Sequence, residues 1–575
     1  MKILGINHDM YITSVALIED GKIIAAVPEE RLTRDKHTRV FPLKAVEYCL
    51  AQANCKIEDI DYIANSYNPA IHMEKFNPIF SQSRRNRADY LYSIPDQLFR
   101  LIKNKEVKYL KQEIELNNNQ LCIYYLDHHD CHAANAFFLS PFKKAAILTV
   151  DGRGEKDTCS FGLGQENNIR NLKRITLPHS LGSFYSTYTS FLGFRPDSDE
   201  WKVMALVALA QTGNNPFYEK IKNTIELCEQ GEFRLDIRYY KEHFHEIPNY
   251  FTDELVKLIG YPRKKSEVLE QKHYQIAAAM QQVTEETILH MLAWLQEETQ
   301  MENLTVAGGV FMNSVFNGKI TRLSNFKNVF ISSCPDDSGN SIGAALYLYH
   351  HILGKGNRCP QKHSYYGPEF DNSEIEKALD KAGLSYKKRD NIEEYSAKKI
   401  SEGCLVGWFQ GKTEFGQRAL GNRSILADPR NPKIKDKINA AVKYREAFRP
   451  FAPAVLDKYA RDYFDMDCDD VPFMEKVFPI KEDKRHLIPA VVHNDGSGRL
   501  QTVNIEINPR FYSLIEHFFR ITGVPIVVNT SFNLNGEPIV CSPTDAIKVF
   551  YTCGLNILVL GDYVVEKESV LTKLP

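Results

Sequence analysis

The sequence predicts an α/β protein with a duplicated first domain, residues 1–355, and a second α/β domain, residues 365–575. Three observations predict it. At 575 residues the chain exceeds one core, since single domains hold roughly 100 to 200 residues. Apolar, β-branched runs joined by an acidic turn occur twice, once near the N-terminus and again near residue 150. Periodicity is lost over 354–366, "GKGNRCPQKHSYY", where Gly, Pro and basic residues gather, which reads as a linker.

The elements follow in order. "KILGIN" and "TSVALI" are strands, and the Asp-Gly of "EDG" before "KIIAAVP" is a hairpin signal. "KAAILTVDGRG" followed by "CSFGLGQ" repeats the unit, which predicts two halves with a cleft between them. Residues 265–300 carry helical periodicity without Gly or Pro. "LTVAGGVFMNSVFNGKI" reads as strand, Gly-Gly turn and helix, "NVFISS" as a strand, and "CPDDSGNSIGAALYLYHHIL" as a loop entering a helix. Such turns bring backbone N–H groups close to phosphate or ribose. Beyond the linker, helices near 373–383 and 392–402 precede the strand "CLVGWFQ".

Composition bounds the function. Apolar residues at 43% and charged ones at 25% describe a soluble globular protein. A net charge of −2 lacks the basic footprint of a nucleic-acid binder, so no nucleic-acid partner is expected. No run of 18 apolar residues predicts a membrane span, and Asn7, His8 and Asp9 interrupt the N-terminal apolar run as no secretory segment would. Twelve cysteines without a CxxC pair fit reduced thiols in the cytoplasm.

Chemistry gathers in two places. In "YLDHHDCHAANAFF" His128 and His132 lie four apart, so on a helix both rings share one face. Spacing alone does not decide, because 17 histidines in 575 positions give about 0.5 such pairs by chance. Asp151, ending "AILTVD", and Asp337, in "PDDSGNSIGAA", lie at strand ends where a cleft gathers residues. Two imidazoles and two carboxylates suit Fe(II), Zn or Mn; as residues alone they read rather as helix caps and turns. Asp130 stands where HExxH proteases carry Glu, which argues against protease chemistry. In the second domain Arg418, Arg423, Lys443, Arg445 and Arg449 lie among Gly, Pro and aromatic residues. Cations in such company need anions, and guanidinium forks match phosphate or carboxylate oxygens. Thr530 and Ser531, in "IVVNTSFNLNGEPIV", add hydroxyl donors.

The motifs "PEERLTRDKH", "DHHDCHAANAFF", "TVDGRGE", "GGVFMNSVFNGK" and "PDDSGNSIGAA", in this order, resemble the N-terminal domain of O-carbamoyltransferases of the NodU/CmcH/TobZ type. "EFGQRALGNRS", "KYREAFRPFAP", "GSGRLQTV" and "NTSFNLNGEP" resemble the C-terminal half of the same family. The resemblance implies an ASKHA, actin-like first domain and a YrdC-like second one. It implies an iron, or another divalent metal, on His128, His132, Asp151 and Asp337. Gly308, Gly309, Asn313 and Asn317 would line the adenosine end, with Lys202 in the family's EYKVMGLA-like segment, where Ala205 stands in place of Gly. His8 with Asp9 would serve as general base, three residues earlier than usual, with Tyr11 in the usual column and Asp236 as a weaker candidate. Arg418, Lys443, Arg449 and Ser531 would hold phosphate, supported by Gln417 (Pro in the family), Arg423, Arg499, Thr502 and Thr530. The activity implied converts carbamoyl phosphate and ATP with Mg²⁺ to carbamoyl adenylate and transfers the carbamoyl group to a hydroxyl of a small natural product. Alternatives are a tRNA threonylcarbamoylation-type enzyme and an actin-like-fold kinase or ATPase. A homodimer is left open.

Overall fold

A computed structural model describes residues 1–8, 12–75, 94–103, 105–117, 119–241, 250–443 (Lys443 in backbone alone) and 451–567. Strands β1 (Lys2–Asn7), β2 (Ser14–Glu19), β3 (Lys22–Pro28), β4 (Tyr62–Asn65), β5 (Tyr109–Glu115) and β6 (Gln120–Leu126) form a sheet of order β3-β2-β1-β4-β6-β5. Asp20 and Gly21 both take positive φ in the β2–β3 turn, the two-residue geometry that Asp-Gly favours. Strands β7 (Lys144–Val150), β8 (Asp157–Gln165) and β9 (Asn168–Thr176) open a second sheet. After a small hairpin of β10 (Ile225–Leu227) and β11 (Phe233–Leu235), β12 (Asn303–Ala307) and β13 (Asn328–Ile331) complete it as β13-β12-β7-β8-β9. Each sheet has an antiparallel meander on one side of its first strand and two parallel strands on the other, to which the first sheet adds β5, antiparallel to β6. The halves are therefore duplicates, as predicted.

Two helices lie between the sheets. The helix His128–Leu139 packs on β7, β8 and β12, while Asn340–Leu346 packs on β1 and β2, and the two helices touch. The approach is close enough to require glycine: a Cβ on Gly343 would lie 2.0 Å from the Cys131 carbonyl oxygen, and one on Gly5 would lie 1.9 Å from that of Ser341. Gly343→Ala is expected to destabilise the fold by about 1–3 kcal/mol through overpacking, measured as a lower thermal midpoint in calorimetry. The helix Gln271–Thr299 covers the second sheet and buries Ile276, Met280, Ile288 and Leu292.

The second lobe is one mixed sheet. Strands β14 (Lys387–Lys388), β15 (Val406–Phe409), β16 (Arg423–Ala427) and β17 (Ala452–Leu456) precede a small pair, β18 (Val477–Pro479) and β19 (Ser497–Arg499). With β20 (Gln501–Val503), β21 (Ile526–Ser531), β22 (Ile557–Leu560) and β23 (Tyr563–Glu566) the order becomes β14-β23-β22-β15-β16-β21-β17-β20. Its core centres on the fully buried Trp408.

Residues 354–366, read as a linker, form neither helix nor strand but are fastened to the first lobe. The Arg358 guanidinium lies 4.2 Å from the Phe137 ring centroid and donates to the carbonyls of Phe142 (2.7 Å) and Ser140 (3.1 Å). The Gln361 side chain receives the Ser333 N–H at 2.9 Å. A basic residue in a Gly- and Pro-rich stretch reads as solvated, and only the folded chain supplies the carbonyls that hold it.

The lobes meet along a seam. Asn317 Nδ2 donates to the Glu475 carbonyl at 2.9 Å, and a Cβ on Gly318 would lie 2.0 Å from the Val477 carbonyl oxygen. Arg34 donates to the carbonyls of Ile539 (2.5 Å) and Pro538 (2.8 Å). Burial pushes the Glu475 carboxyl up to about 7, with Lys476 pulling the other way. Its folded pKa thus exceeds the unfolded value of about 4.3, so its contribution to stability is complete below that pH and is lost as pH rises through about 7. Glu475→Gln is expected to gain stability relative to wild type over this rise, read from urea midpoints at a series of pH values.

Candidate metal centre and inter-lobe anion site

The helix His128–Leu139 begins where Asp127 accepts the Asp130 N–H at 3.1 Å, an N-cap that fixes the first turn. Its 3.6-residue repeat then puts His128 and His132 on one face, their Nε2 atoms 3.1 Å apart. Asp151 follows strand β7, and Asp337 lies in the turn before Asn340–Leu346. His128 Nε2 lies 3.4 Å from both Asp151 Oδ2 and Asp337 Oδ1, and His132 Nε2 lies 3.8 Å and 3.4 Å from the same atoms. All four side chains are buried and offer donor atoms within 4.8 Å of one another.

This donor set fits a divalent metal. Ligands at about 2.1 Å from one ion are separated by roughly 3.0–3.4 Å, the spacing found for most of these pairs. Burial opposes charge on His128, but Asp337 and Asp151 outweigh it and hold its pKa well above the ordinary value. Burial likewise opposes ionisation of Asp151, and the two imidazoles outweigh it in the other direction. Protons thus balance two buried carboxylates here, and a divalent cation would replace them.

Supporting groups fix the donors. The Gly309 N–H donates to Asp151 Oδ1 at 2.6 Å. Gly308 has φ of 100°, and a Cβ there would lie 2.1 Å from the Val150 carbonyl oxygen. These glycines therefore lean on β7 and orient Asp151. Glu155 accepts N–H groups from Asn68 (2.6 Å) and His128 (3.3 Å). Arg174 donates to Asp127 (2.6 Å), Asp130 (2.8 Å) and Asp157 (2.5 Å), anchoring the helix start to β8. His129, between the two histidines, points elsewhere, to Thr149 Oγ1 (2.6 Å) and the Asp157 carbonyl (3.0 Å). Burial, with the charges of His128 and His132, pushes its pKa down to about 3, so it stays neutral.

The second lobe reaches this centre through the loop ahead of β16. Arg31 Nη2 donates to the Gly416 carbonyl at 2.6 Å, and Gly416 packs against the Ser333 carbonyl. Gln417 then lies beside Asp336, the residue next to Asp337, and favours its ionised form against burial. Burial pushes the Arg418 guanidinium down to about 10, opposed by Asp336, so it remains cationic at neutral pH. Glu414 holds the loop by accepting the N–H groups of Leu420 (2.8 Å), Asn422 (2.9 Å) and Arg423 (3.2 Å) on one oxygen. Gln501 and Tyr365 both donate to the Leu420 carbonyl at 2.9 Å.

The remaining expected residues fall in several places. Asn313 exchanges hydrogen bonds with Gln281 (2.8 and 3.3 Å), and Asn317 Nδ2 is committed to the carbonyls of Phe311 and Glu475. Arg423, fully buried, donates to the carbonyls of Gln410 (2.5 Å) and Pro368 (3.0 Å) and stacks 3.6 Å from the Phe409 centroid, so its fork tightens the sheet. Lys202 pairs with Asp199 at 2.9 Å. Ser531 donates to Asn533 at 2.7 Å on β21, where Thr530 faces Ile425. Thr502 Oγ1 receives the Val471 N–H at 2.9 Å, and Arg499 ends β19. His8 follows β1 with its ring edge against Phe41 at 5.3 Å. Asp236 is paired with Arg238 at 2.5 Å. Asp9, Tyr11, Arg445, Arg449 and the Lys443 side chain lie outside the described residues.

With this geometry in view, the family model for the carbamoyltransferase N-terminus matches residues 2–346 and that for the carbamoyltransferase C-terminus residues 397–567. The chain belongs to the carbamoyltransferase family. It is 38% identical over 608 residues to the uncharacterized protein sll1178 of Synechocystis, covering 99% of this chain and 97% of that protein. It is 35% identical over 569 residues to nodulation protein NolNO of Sinorhizobium fredii, covering 98% and 80%. Among solved structures HypF of T. kodakarensis aligns at 12% identity and a TM-score of 0.30, over 62% of this chain and 48% of that one. No helix among the described residues of this carbamoyltransferase is long and apolar enough to cross a membrane.

Sequence reasoning missed Arg174, Glu155, Arg31 and Glu414. Glu414 sits inside a motif already singled out, whereas Arg174 lies in the polar strand "NIRNLKRIT" with nothing local to mark it.

Proposed function

We propose that this carbamoyltransferase makes carbamoyl adenylate from carbamoyl phosphate and ATP in its second lobe and transfers the carbamoyl group to a hydroxyl of a small acceptor in its first. The observation carrying the reading is the seam: Arg31 of the first lobe holds the Gly416 carbonyl of the loop that carries Arg418, and Asp336, next to Asp337 of the metal-type donor set, lies within electrostatic range of Arg418. A kinase of actin-like fold would need no such loop.

Arg418, with Lys443, Arg449, Arg499, Thr530 and Ser531, binds the phosphates and offsets the charge that develops as carbamate attacks the α-phosphate. The loop held by Glu414, Gln501 and Tyr365 keeps Arg418 in place before substrate arrives. Carbamate decomposes in water, so the packed seam serves to exclude solvent. A divalent ion on His128, His132, Asp151 and Asp337, iron by family resemblance, supplies Lewis-acid polarisation of the adenylate's phosphate side when bound. His8, just after β1, accepts the acceptor hydroxyl's proton. Lys202 lies on the adenosine side, which Asn313 and Asn317 support indirectly through their hydrogen bonds within the protein.

Incubation with carbamoyl phosphate, ATP and Mg²⁺ tests the reading. AMP and pyrophosphate are expected, and only when carbamoyl phosphate is present. ADP as the product, or AMP independent of carbamoyl phosphate, would contradict it.

A further inference from the structure

A second cluster of titratable groups lies in the other lobe, and none of the steps above uses its histidine. Between Val492 and Arg499 the chain reverses in a tight turn: the His493 N–H donates to the Ser497 carbonyl at 2.8 Å, and Gly496, at φ of 79°, donates back to the His493 carbonyl at 2.9 Å. Asp495 Oδ1 accepts the Ser497 N–H at 3.0 Å and the Ser497 hydroxyl at 2.6 Å. A hydroxyl has one proton, and here the carboxylate takes it. The Ser497 oxygen therefore faces His493 Nδ1, 3.1 Å away, as an acceptor, so Nδ1 carries the imidazole proton.

This leaves the lone pair on Nε2. That atom is buried and, among the described residues, has no hydrogen-bond partner. A buried unpaired acceptor calls for a role or a ligand. The charged groups around the ring are Lys435 on the helix Ile434–Ile438, Arg499 on β19 and Asp495, and the Arg485 guanidinium packs on Gly496. Burial first, then Arg499 and Lys435 against Asp495, push His493 down to about 4. A phosphate dianion held between these cations would offset their repulsion of an imidazolium and so raise the basicity of the ring.

We propose that His493 Nε2 is the proton acceptor of the second lobe's anion site, serving the water that displaces carbamate from carbamoyl phosphate. The water oxygen bonds to phosphorus, and the P–O bond to the carbamoyl group breaks with its electron pair on carbamate. The water proton passes to Nε2 and then to solvent. Asp495 and Ser497 are positioning residues that fix the tautomer. The proposal rests on the carbamoyl phosphate reading above and adds the group that handles the proton.

The full-length enzyme and its His493→Gln and Ser497→Ala variants provide the test, with phosphate and pyrophosphate release as readouts. His493→Gln is expected to lower the kcat driven by carbamoyl phosphate by about 10²–10⁴-fold, with KM for carbamoyl phosphate changing far less. Ammonium carbamate supplied in place of carbamoyl phosphate restores pyrophosphate release, because it enters after the displaced step. Ser497→Ala lowers the rate by about 10–100-fold and alters the acid limb of the pH–rate profile, which His493→Gln abolishes. A variant that runs at the wild-type rate on carbamoyl phosphate, or that fails equally on carbamate, overturns the assignment. A wild-type enzyme that releases pyrophosphate with neither compound overturns the functional reading, and the proposal with it.

Discussion

Asp337→Asn is expected to abolish binding of the divalent ion proposed for the first lobe. Asp337 Oδ1 lies 3.4 Å from both His128 Nε2 and His132 Nε2, so one oxygen serves both imidazoles. The carboxamide keeps the shape but removes the charge that lets a buried site hold a cation. Loss of a group that merely orients a ligand costs about 10–100-fold in metal affinity, and loss of a donor exceeds that. Elemental analysis of dialysed protein should fall from about one metal per chain to near none, with carbamoyl transfer lost in step. Asp336→Asn is the informative control. Asp336 faces Gln417 and accepts from Cys334 Sγ at 3.1 Å, so that variant keeps its metal. Full metal content in Asp337→Asn would refute the four-donor site.

Arg418→Ala should lower carbamoyl-phosphate-dependent pyrophosphate release by about 10²–10³-fold, the scale of removing one donor that meets charge developing in the transition state. The backbone around Arg418 is held independently of its side chain, through Glu414 to three N–H groups and through Gln501 and Tyr365 to Leu420. The loss therefore falls on chemistry, and thermal stability should change little. Arg418→Lys should recover only a small part, because an ammonium cannot reproduce the bidentate fork. Steady-state pyrophosphate assays with circular dichroism melts decide it; a variant that is fully active, or unfolded, sinks the expectation.

Much of this was legible beforehand. The Asp20-Gly21 turn, the repeated strand–turn–strand units and the 3.6-residue spacing of His128 and His132 are local patterns, and local patterns survive in a one-dimensional string. The helix read over 265–300 appears as Gln271–Thr299, its ends set by packing and capping. The roles of polar side chains were less legible. Arg423 looks like an anion ligand in the string, yet its fork is taken up by the carbonyls of Gln410 and Pro368. Asn317 looks like a nucleotide contact, yet its amide ties the two lobes together. In both cases the deciding partner lies on a different segment.

The sequence by itself determined the α/β class and the duplication of the first lobe, and resemblance of its motifs to a known family singled out the four metal-type donors, because each rests on periodicity, turn chemistry or a motif. Tertiary structure decided which of those donors meet, that the loop of Arg418 docks against Asp336, and which buried cations face backbone instead of open space. Electrostatics and hydrogen bonding act over a few ångströms of space, and segments hundreds of residues apart come that close only once both lobes have folded and packed.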